Sequence, residues 1–321
     1  MKRIKILFSI LSAFTLLNAG LSVDDCNRGE LSSQFCDRDN DMMADTPKDS
    51  KKRLDPYRLL IGMVPSQTFI FNKGSKEALK KHIEKVTGKS VKFFPYKTNS
   101  AELEAMRSGM LHIAGMNTGS VPTAVNCAGF HLFAMTSNTK TYGYTMQIIT
   151  YPNSGINSVE DIKNNTILFT SSSSNSGHKA PVAILKNKFN LIEGKDYKSK
   201  FSGSHLKSVQ KISQKEYKVA SVASGFTKAS MKLNKIPKGS VKIIYNSERF
   251  PTTGYGYSNR LKPSLAKKIE EAFLTFEWKD GNTTKVFNKF KESKFVPADY
   301  RKNWKIIRDI DRVNGITYQC R

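Results

Sequence analysis

Two hydrophobic periods alternate along the chain. The run YRLLIGMVP (57–65) is nearly continuous in aliphatic residues and predicts a buried strand. In SKEALKKHIEKVTGK (75–89), Ala78, Leu79, His82, Ile83 and Val86 fall on one helical face. Ser75 is the expected N-cap of that helix and Gly88 its terminator. VKFFPY predicts a second strand, SAELEAMRSG a helix capped by Ser100 and ended by Gly109, and LHIAGM a third strand. TGSVPTAVNCAG opens a further helix. This βαβαβ alternation predicts an α/β lobe on a largely parallel sheet.

A second series follows. YGYTMQIITYPNSGI reads as a strand ending in a turn, and SVEDIKN as a helix with a capping pattern at Ser158. Strand TILFT, helices PVAILKNKF and HLKSVQKIS, strand YKVASVA, helix TKASMKLN and strand VKIIYN come next. RFPTTGYGYS returns to extended chain. KPSLAKKIEEAFLTF is a strong helix, with Leu265, Ile269, Ala272, Phe273 and Phe276 on one face. Two α/β lobes result. Crossings near Tyr151 and Pro251 assign residues 57–150 plus 252–321 to the first lobe and 151–251 to the second. The C-terminal helices are expected to fold back on the first lobe.

The first residues change the picture from fold to compartment. A basic start (Lys2, Arg3, Lys5), an apolar run over 4–17 and small Ala19 and Gly20 predict a secretory signal peptide, residues 1–19, cleaved after Ala19. The mature protein is expected to be a soluble, exported monomer. Residues 20–56 are a polar N-terminal arm. Four cysteines in an exported chain imply two disulfides, with three connectivities open. The expected pairs are Cys26–Cys36, a local loop, and Cys127–Cys320, which pins the C-terminus. In the arm, Asp37, Asp39, Asp41 and Asp45 alternate as in a calcium loop. The sixth position, however, is Met42 rather than glycine and the twelfth is Lys48 rather than glutamate. The expectation is a solvated acidic arm, with no metal site and no cofactor.

Charge excludes little. There are 52 Lys and Arg against 27 Asp and Glu, a formal net charge of +25. The basic residues are scattered, without an arginine-rich run or RNP-like spacing, so nucleic acid is not an expected partner. A lysine-rich surface governs solubility and non-specific attraction to anions.

In open α/β sheets, ligands bind beyond the carboxyl ends of strands. Four loops at such ends are rich in short polar side chains and each precedes a helix: KTNS (97–100), MNTGS (116–120), TSSSSNSG (170–177) and FSGSH (201–205). Helix starts offer free N–H donors and a positive dipole end, which bind an anion without lysine or arginine in contact. One such loop alone is an ordinary helix cap; four in one architecture point to an oxyanion site. Ser176 and Lys179 also fit S-x-x-K, the motif of a serine acyl-enzyme. No K-T-G follows, and G-x-S-x-G, Walker A and H-E-x-x-H patterns are absent. His82 and His112 read as structural residues.

On these loops the chain resembles the phosphonate/phosphite/phosphate family of periplasmic substrate-binding proteins of ABC importers. The resemblance covers 57–304. It rests on Ser174-Asn175-Ser176-Gly177-His178 with Pro181, on EAMRSGMLHIAGMNTG, on VTGKSVKFFPYKTNSAELEAMRSG and on the Gly203-Ser204-His205 loop. It implies a two-lobed type II periplasmic-binding-protein fold with the ligand cleft between lobes. Further implications are a small phosphorus oxyanion as ligand (phosphonate, phosphite or phosphate), a permease in the inner membrane as partner, no catalysis, and the periplasm as location. By position, Ser174, Asn175, Ser176 and His205 are the ligand contacts expected from the second lobe, and Asn99, Asn117 and Thr118 those from the first. The sequence departs from the family at Asn175, where relatives carry threonine, and at Thr98-Asn99, where many have Asp-Tyr. It also lacks an acid in SVASG (221–225), the usual partner of a ligand ammonium. Another oxyanion or a carboxylate is the alternative ligand, and an acyl-enzyme built on Ser176 and Lys179 the alternative of another class.

Overall fold

Eleven strands form two mixed sheets among the described residues. The computed structural model describes residues 26–63, 73–137, 142–232, 234–277, 294–318 and 320. The predicted signal peptide lies outside them, as do residues 64 and 65 of the first expected strand.

The first sheet has six strands in the order β11-β4-β10-β3-β1-β2. Strands β1 (Arg58–Met63), β2 (Ser90–Pro95) and β3 (Ile113–Met116) are parallel, whereas β4 (Phe130–Ser137), β10 (Gly254–Ser258) and β11 (Lys294–Pro297) add antiparallel pairings. The second sheet runs β7-β6-β8-β5-β9. Here β6 (Thr166–Phe169), β7 (Lys198–Phe201) and β8 (Val219–Ala223) are parallel, and β5 (Tyr144–Thr150) pairs antiparallel with β8 and with β9 (Lys242–Phe250). The largely parallel sheet expected from βαβ alternation is thus half antiparallel in the first lobe. β4, an apolar run after a helix-ending glycine, is a strand that the alternation passed over, as are the four-residue strands β7 and β11.

Nine α-helices complete the described fold: α1 (Lys73–Thr87), α2 (Asn99–Arg107), α3 (Val121–Ala128), α4 (Ala180–Phe189), α5 (His205–Ser213), α6 (Ser224–Lys232), α7 (Pro263–Leu274), α8 (Tyr300–Asn303) and α9 (Lys305–Val313). Local chemistry moves several ends. Ser75 lies inside α1, fully buried, rather than at its cap. Gly88 does end that helix, at φ +71°. Thr98, not Ser100, caps α2, its Oγ1 accepting the Ala101 N–H at 3.1 Å. The segment read as helix at SVEDIKN is only a 3₁₀ turn, Glu160–Ile162. The Asp161 carboxylate accepts the N–H of Asn157 and of Ser158 at 2.8 and 2.9 Å, but Asn164 at φ +64° turns the chain into β6 before a helix can extend.

Two organisational expectations are corrected. β5 belongs to the second sheet, so the chain leaves the first sheet before Tyr144 rather than near Tyr151. The cause is packing: Met146, Ile148 and Ile149 are buried in the second sheet's surroundings. The C-terminal helices do not rest on the first lobe alone. Helix α9 packs on α4, and Trp304, Ile307 and Ile310 share one core with Met116 and Val121 of the first lobe and Met146 and Phe169 of the second. The return passage runs through Pro251, which follows β9 and cannot donate to a ladder.

Both expected disulfides are present, Cys26–Cys36 and Cys127–Cys320. The N-terminal arm is not a solvated tail. Leu31, Met43 and Ala44 are buried in the core, and Asp37 is only 4 % exposed. Burial there follows from tethering: the Ser32 N–H donates to the Asn126 carbonyl at 2.9 Å and the Asn259 amide to the Asp45 carbonyl at 2.8 Å. His82 and His112 have structural surroundings. His112 Nδ1 accepts the Leu60 N–H at 3.0 Å, and His82 packs on Phe276.

Candidate functional site

The parallel register of β2, β1 and β3 places Pro95, Met63 and Met116 at one rim of the first sheet. Loop 97–100 and loop 117–120 therefore emerge side by side. Asn99 opens α2, and its Oδ1 is buried without a hydrogen-bond partner. Asn117 Oδ1 accepts the Ser120 N–H at 3.0 Å, which shapes the entry to α3. The Thr118 hydroxyl donates to the carbonyls of Pro251 and Thr252 at 2.9 and 3.1 Å. A hydroxyl has one proton, so this one is committed to the returning strand, and Thr118 Oγ1 serves its other neighbours as an acceptor. Trp304 Nε1 donates to the Thr118 carbonyl at 3.0 Å, fixing the loop from the C-terminal side.

The second lobe repeats the arrangement at the ends of β6, β7 and β8. Ser174 is an N-cap, its Oγ accepting the Gly177 N–H at 3.1 Å. Asn175–Lys179 form a π-helical turn ahead of α4, with the Lys179 N–H on the Ser174 carbonyl at 3.0 Å. Proline explains the wider turn. Pro181 has no N–H to offer its i−4 carbonyl, Gly177, which accepts the Thr170 N–H at 2.9 Å instead. Asn175 and Ser176 are each 2 % exposed, and the Ser221 hydroxyl holds the Ser176 carbonyl at 2.8 Å. His205 opens α5 behind its cap Ser204. Its Nδ1 accepts the Ala223 N–H at 3.2 Å, so the proton of the neutral ring sits on Nε2. Burial pushes the imidazole down to about 4, and the ring stacks on Phe226. At neutral pH His205 is an uncharged N–H donor.

The two rims touch at Gly119. A Cβ there would lie 2.5 Å from the Ser173 carbonyl oxygen and 2.8 Å from the Asn175 nitrogen, so only glycine permits this approach. Beside it stands Tyr144, a residue the sequence pattern marked only as strand. Its hydroxyl accepts from the Asn175 amide at 3.3 Å. Burial raises its phenol above the ordinary tyrosine value, so it remains a neutral donor. Half-buried Tyr144 and buried Asn175 and Ser176 thus form a second-lobe cluster that meets Gly119 of the first lobe. Among the described residues, no hydrogen bond joins the side chains of Asn99, Asn117, Ser174 or His205 to that cluster; they stand on the same two rims around it. The signal that sequence reading could have used was a tyrosine placed at the crossing between sheets.

The nearby cation is turned away. Lys179 Nζ donates to the Gly119 carbonyl at 2.8 Å and pairs with Asp311 at 2.9 Å. The Lys179 ammonium is thus directed at Gly119 and Asp311 rather than at Ser176, its partner in the S-x-x-K reading. Glu102 was also overlooked. It lies in the first turn of α2, fully buried, with neither carboxyl oxygen partnered, against Gly62 of β1. Burial pushes it up to about 8. A groove of about 780 Å³ lined by Tyr142, Glu248, Arg249, Lys302 and Asn303 includes none of the cluster residues.

Comparison with known proteins gives a consistent result. The model of the family described as ABC transporter, phosphonate, periplasmic substrate-binding protein matches residues 61–304. The chain is similar in structure to PhnD1 from Prochlorococcus marinus in complex with methylphosphonate: 18 % identity, 81 % of this chain and 99 % of that chain covered, TM-score 0.68. It is also similar to a binding protein component of an ABC phosphonate transporter from Pseudomonas aeruginosa, with 22 % identity, 81 % and 88 % coverage, and TM-score 0.66. XAC2383 from Xanthomonas citri, bound to chloride, matches at 14 % identity with 81 % and 99 % coverage and TM-score 0.67.

Proposed function

Because the chain belongs to the periplasmic substrate-binding proteins of phosphonate ABC transporters, we propose that the junction of the Tyr144 cluster with the first lobe receives a small phosphorus oxyanion. The observation that carries this reading is the close approach of Gly119 to Ser173 and Asn175 across the lobes, beside the Tyr144 hydroxyl and with Lys179 directed elsewhere. Donors there are neutral. They are hydroxyls, an amide and the N–H groups at helix starts, the set that holds an anion through hydrogen bonds and dipoles. Ser174, Asn175, Ser176 and His205 Nε2 supply the second-lobe contacts; Asn99, Asn117 and the loop around Thr118 supply those of the first. Thr118 acts mainly by holding its loop to the returning strand at Pro251 and Thr252.

Residues 57 to about 143 with 252–321 form one lobe, and β5 through β9 the other. Ligand bridging the two favours the closed state by its differential affinity for it. The closed form presents itself to the membrane permease, which the family implies, in the periplasm. Residues 1–19 act as a cleaved leader, the mature chain works as a monomer, and it performs no catalysis. Because 221–225 holds no acid, a ligand ammonium gains no partner there, which favours ligands without an amine.

Titration calorimetry against phosphate, phosphite, methylphosphonate and 2-aminoethylphosphonate, with sulfate as control, tests this. At least one phosphorus anion is expected to bind tighter than about 100 μM, roughly −5.5 kcal/mol. Ser176→Ala and His205→Ala should each weaken it with the fold retained. Equal affinity for sulfate, or unchanged binding in both variants, would overturn the assignment.

A further inference from the structure

The acidic loop of the N-terminal arm lies apart from the cleft. Asp37, Asp39 and Asp41 each bring one oxygen to within 4.8 Å of the others. Calcium–oxygen bonds are about 2.3–2.6 Å long. Two oxygens on one calcium therefore stand at most about 5 Å apart, and all three carboxylates can meet a single ion. We propose that this loop is a calcium site that locks the arm onto the first lobe.

An independent observation points to a ligand. Asp37 is 4 % exposed; its Oδ2 accepts the Met42 N–H at 3.1 Å, while its Oδ1 is buried with no partner. A buried carboxylate oxygen is costly unless it is paired or coordinates a metal. The arginines within the arm are engaged elsewhere. Arg38 binds Asp45 at 2.9 Å, and Arg28 binds the carbonyls of Cys26 and Ser33 at 3.1 and 3.3 Å.

The departures that spoke against calcium in the sequence take on another meaning. Met42, at the position where a calcium loop needs glycine, adopts φ +71°, so the sharp left-handed turn is made without it. The loop is also held in advance. Cys36 is disulfide-bonded to Cys26, the Asp37 N–H donates to the Asn27 carbonyl at 2.7 Å, and the Asp45 N–H donates to the Cys36 carbonyl at 2.8 Å. Below it, Met43 Sδ accepts the Leu132 N–H at 3.3 Å. Lys48 stands where tight sites carry a bidentate glutamate, so backbone carbonyls and water must complete the shell. That places the affinity with extracellular modules, about 10⁻⁴–10⁻³ M. An all-oxygen, irregular set suits calcium better than magnesium, which demands near-octahedral geometry and keeps its water. The chain carries +25 overall and offers no general attraction to cations, so any binding is local.

The test is thermal unfolding of the mature chain after chelation, with 10 mM calcium or 10 mM magnesium returned, beside calorimetric titration with calcium. Calcium should raise Tm by about 5 °C and bind at one ion per chain. Magnesium should do far less. Asp39→Asn with Asp41→Asn, at the more accessible positions, should keep the chelated Tm and abolish the calcium shift. Lack of a one-to-one heat with the unaltered chain, an equal magnesium shift, or a calcium shift surviving in the double variant would each overturn the proposal. Phosphonate binding plays no part in these readouts.

Discussion

Lys179 and Asp311 form a buried ion pair that ties the π-helical turn after β6 to the C-terminal helix α9, with Nζ 2.9 Å from the carboxylate and the side chains 7 % and 1 % exposed. The same ammonium reaches the Gly119 carbonyl, so one side chain joins three parts of the chain. Removing one partner leaves the other charge buried alone. Asp311→Ala is therefore expected to cost about 3–5 kcal/mol in urea unfolding. Lys179→Met with Asp311→Leu should recover most of that loss. A loss in the single variant below about 1 kcal/mol would show the pair to be incidental.

Glu102 makes stability depend on pH. Its folded-state value of about 8 lies above the ordinary 4.5, so the folded chain keeps a proton that the unfolded chain releases. Stability should fall as pH rises from about 4.5 to about 8 and level off beyond. Glu102→Gln removes this slope and should add roughly 4 kcal/mol at pH 8. Parallel pH curves for the two proteins in denaturant titrations would contradict it.

His205 works in the opposite sense. Its folded-state value of about 4 lies below the ordinary 6.5, so the unfolded chain takes up a proton first as pH drops. The contribution is present above 6.5 and is lost as pH falls toward 4. Nuclear magnetic resonance of the imidazole should show the Nε2–H tautomer unchanged from pH 8 to pH 5.5. A ring that titrates near 6.5 in the folded protein would remove it as a constant neutral donor.

Gly119→Ala should act on closure. The added methyl would meet Ser173 and Asn175 across the cleft. Overpacking of this kind costs about 1–3 kcal/mol, so anion affinity should drop about tenfold or more. Calorimetry reads the affinity and thermal unfolding the fold, which should be nearly unaffected. Wild-type affinity in this variant would mean that the rims need not meet for binding.

The two disulfides should differ in weight. Cys127–Cys320 spans 193 residues and Cys26–Cys36 spans 10. Loop entropy gives roughly 5 kcal/mol for the first and roughly 3 for the second. Paired serine substitutions followed by urea unfolding should reproduce that order.

The helices of both lobes were legible because their signals are local. Leu265, Ile269, Ala272, Phe273 and Phe276 share a 3.6-residue face, and all are buried on α7 or just beyond it. His205 opens a helix directly after Gly203 and Ser204, a start visible in the letters. What escaped depended on tertiary partners. Nothing near Tyr144 announces that its hydroxyl meets the Asn175 amide, because that contact exists only once β5 and the turn after β6 lie together in the fold. Sheet membership of β5 escaped for the same reason, since strands of either sheet read alike along the chain. Burial of Glu102 left no mark in the sequence; the bare backbone of Gly62 makes room for it inside. The Asp37 loop failed a motif written in residue names, whereas the turn it needs is a backbone angle that Met42 supplies.

On the proposed function, a site whose described donors are neutral separates the kinetics of capture from those of retention. Long-range attraction between a chain of +25 and an anion weakens with added salt, since fields fade over about 8 Å at physiological strength. Hydrogen bonds from buried hydroxyl and amide groups do not weaken in the same way. On that proposal, changes in ionic strength alter how often an anion arrives, while its residence time, and with it the interval available for meeting a permease, is expected to stay nearly constant.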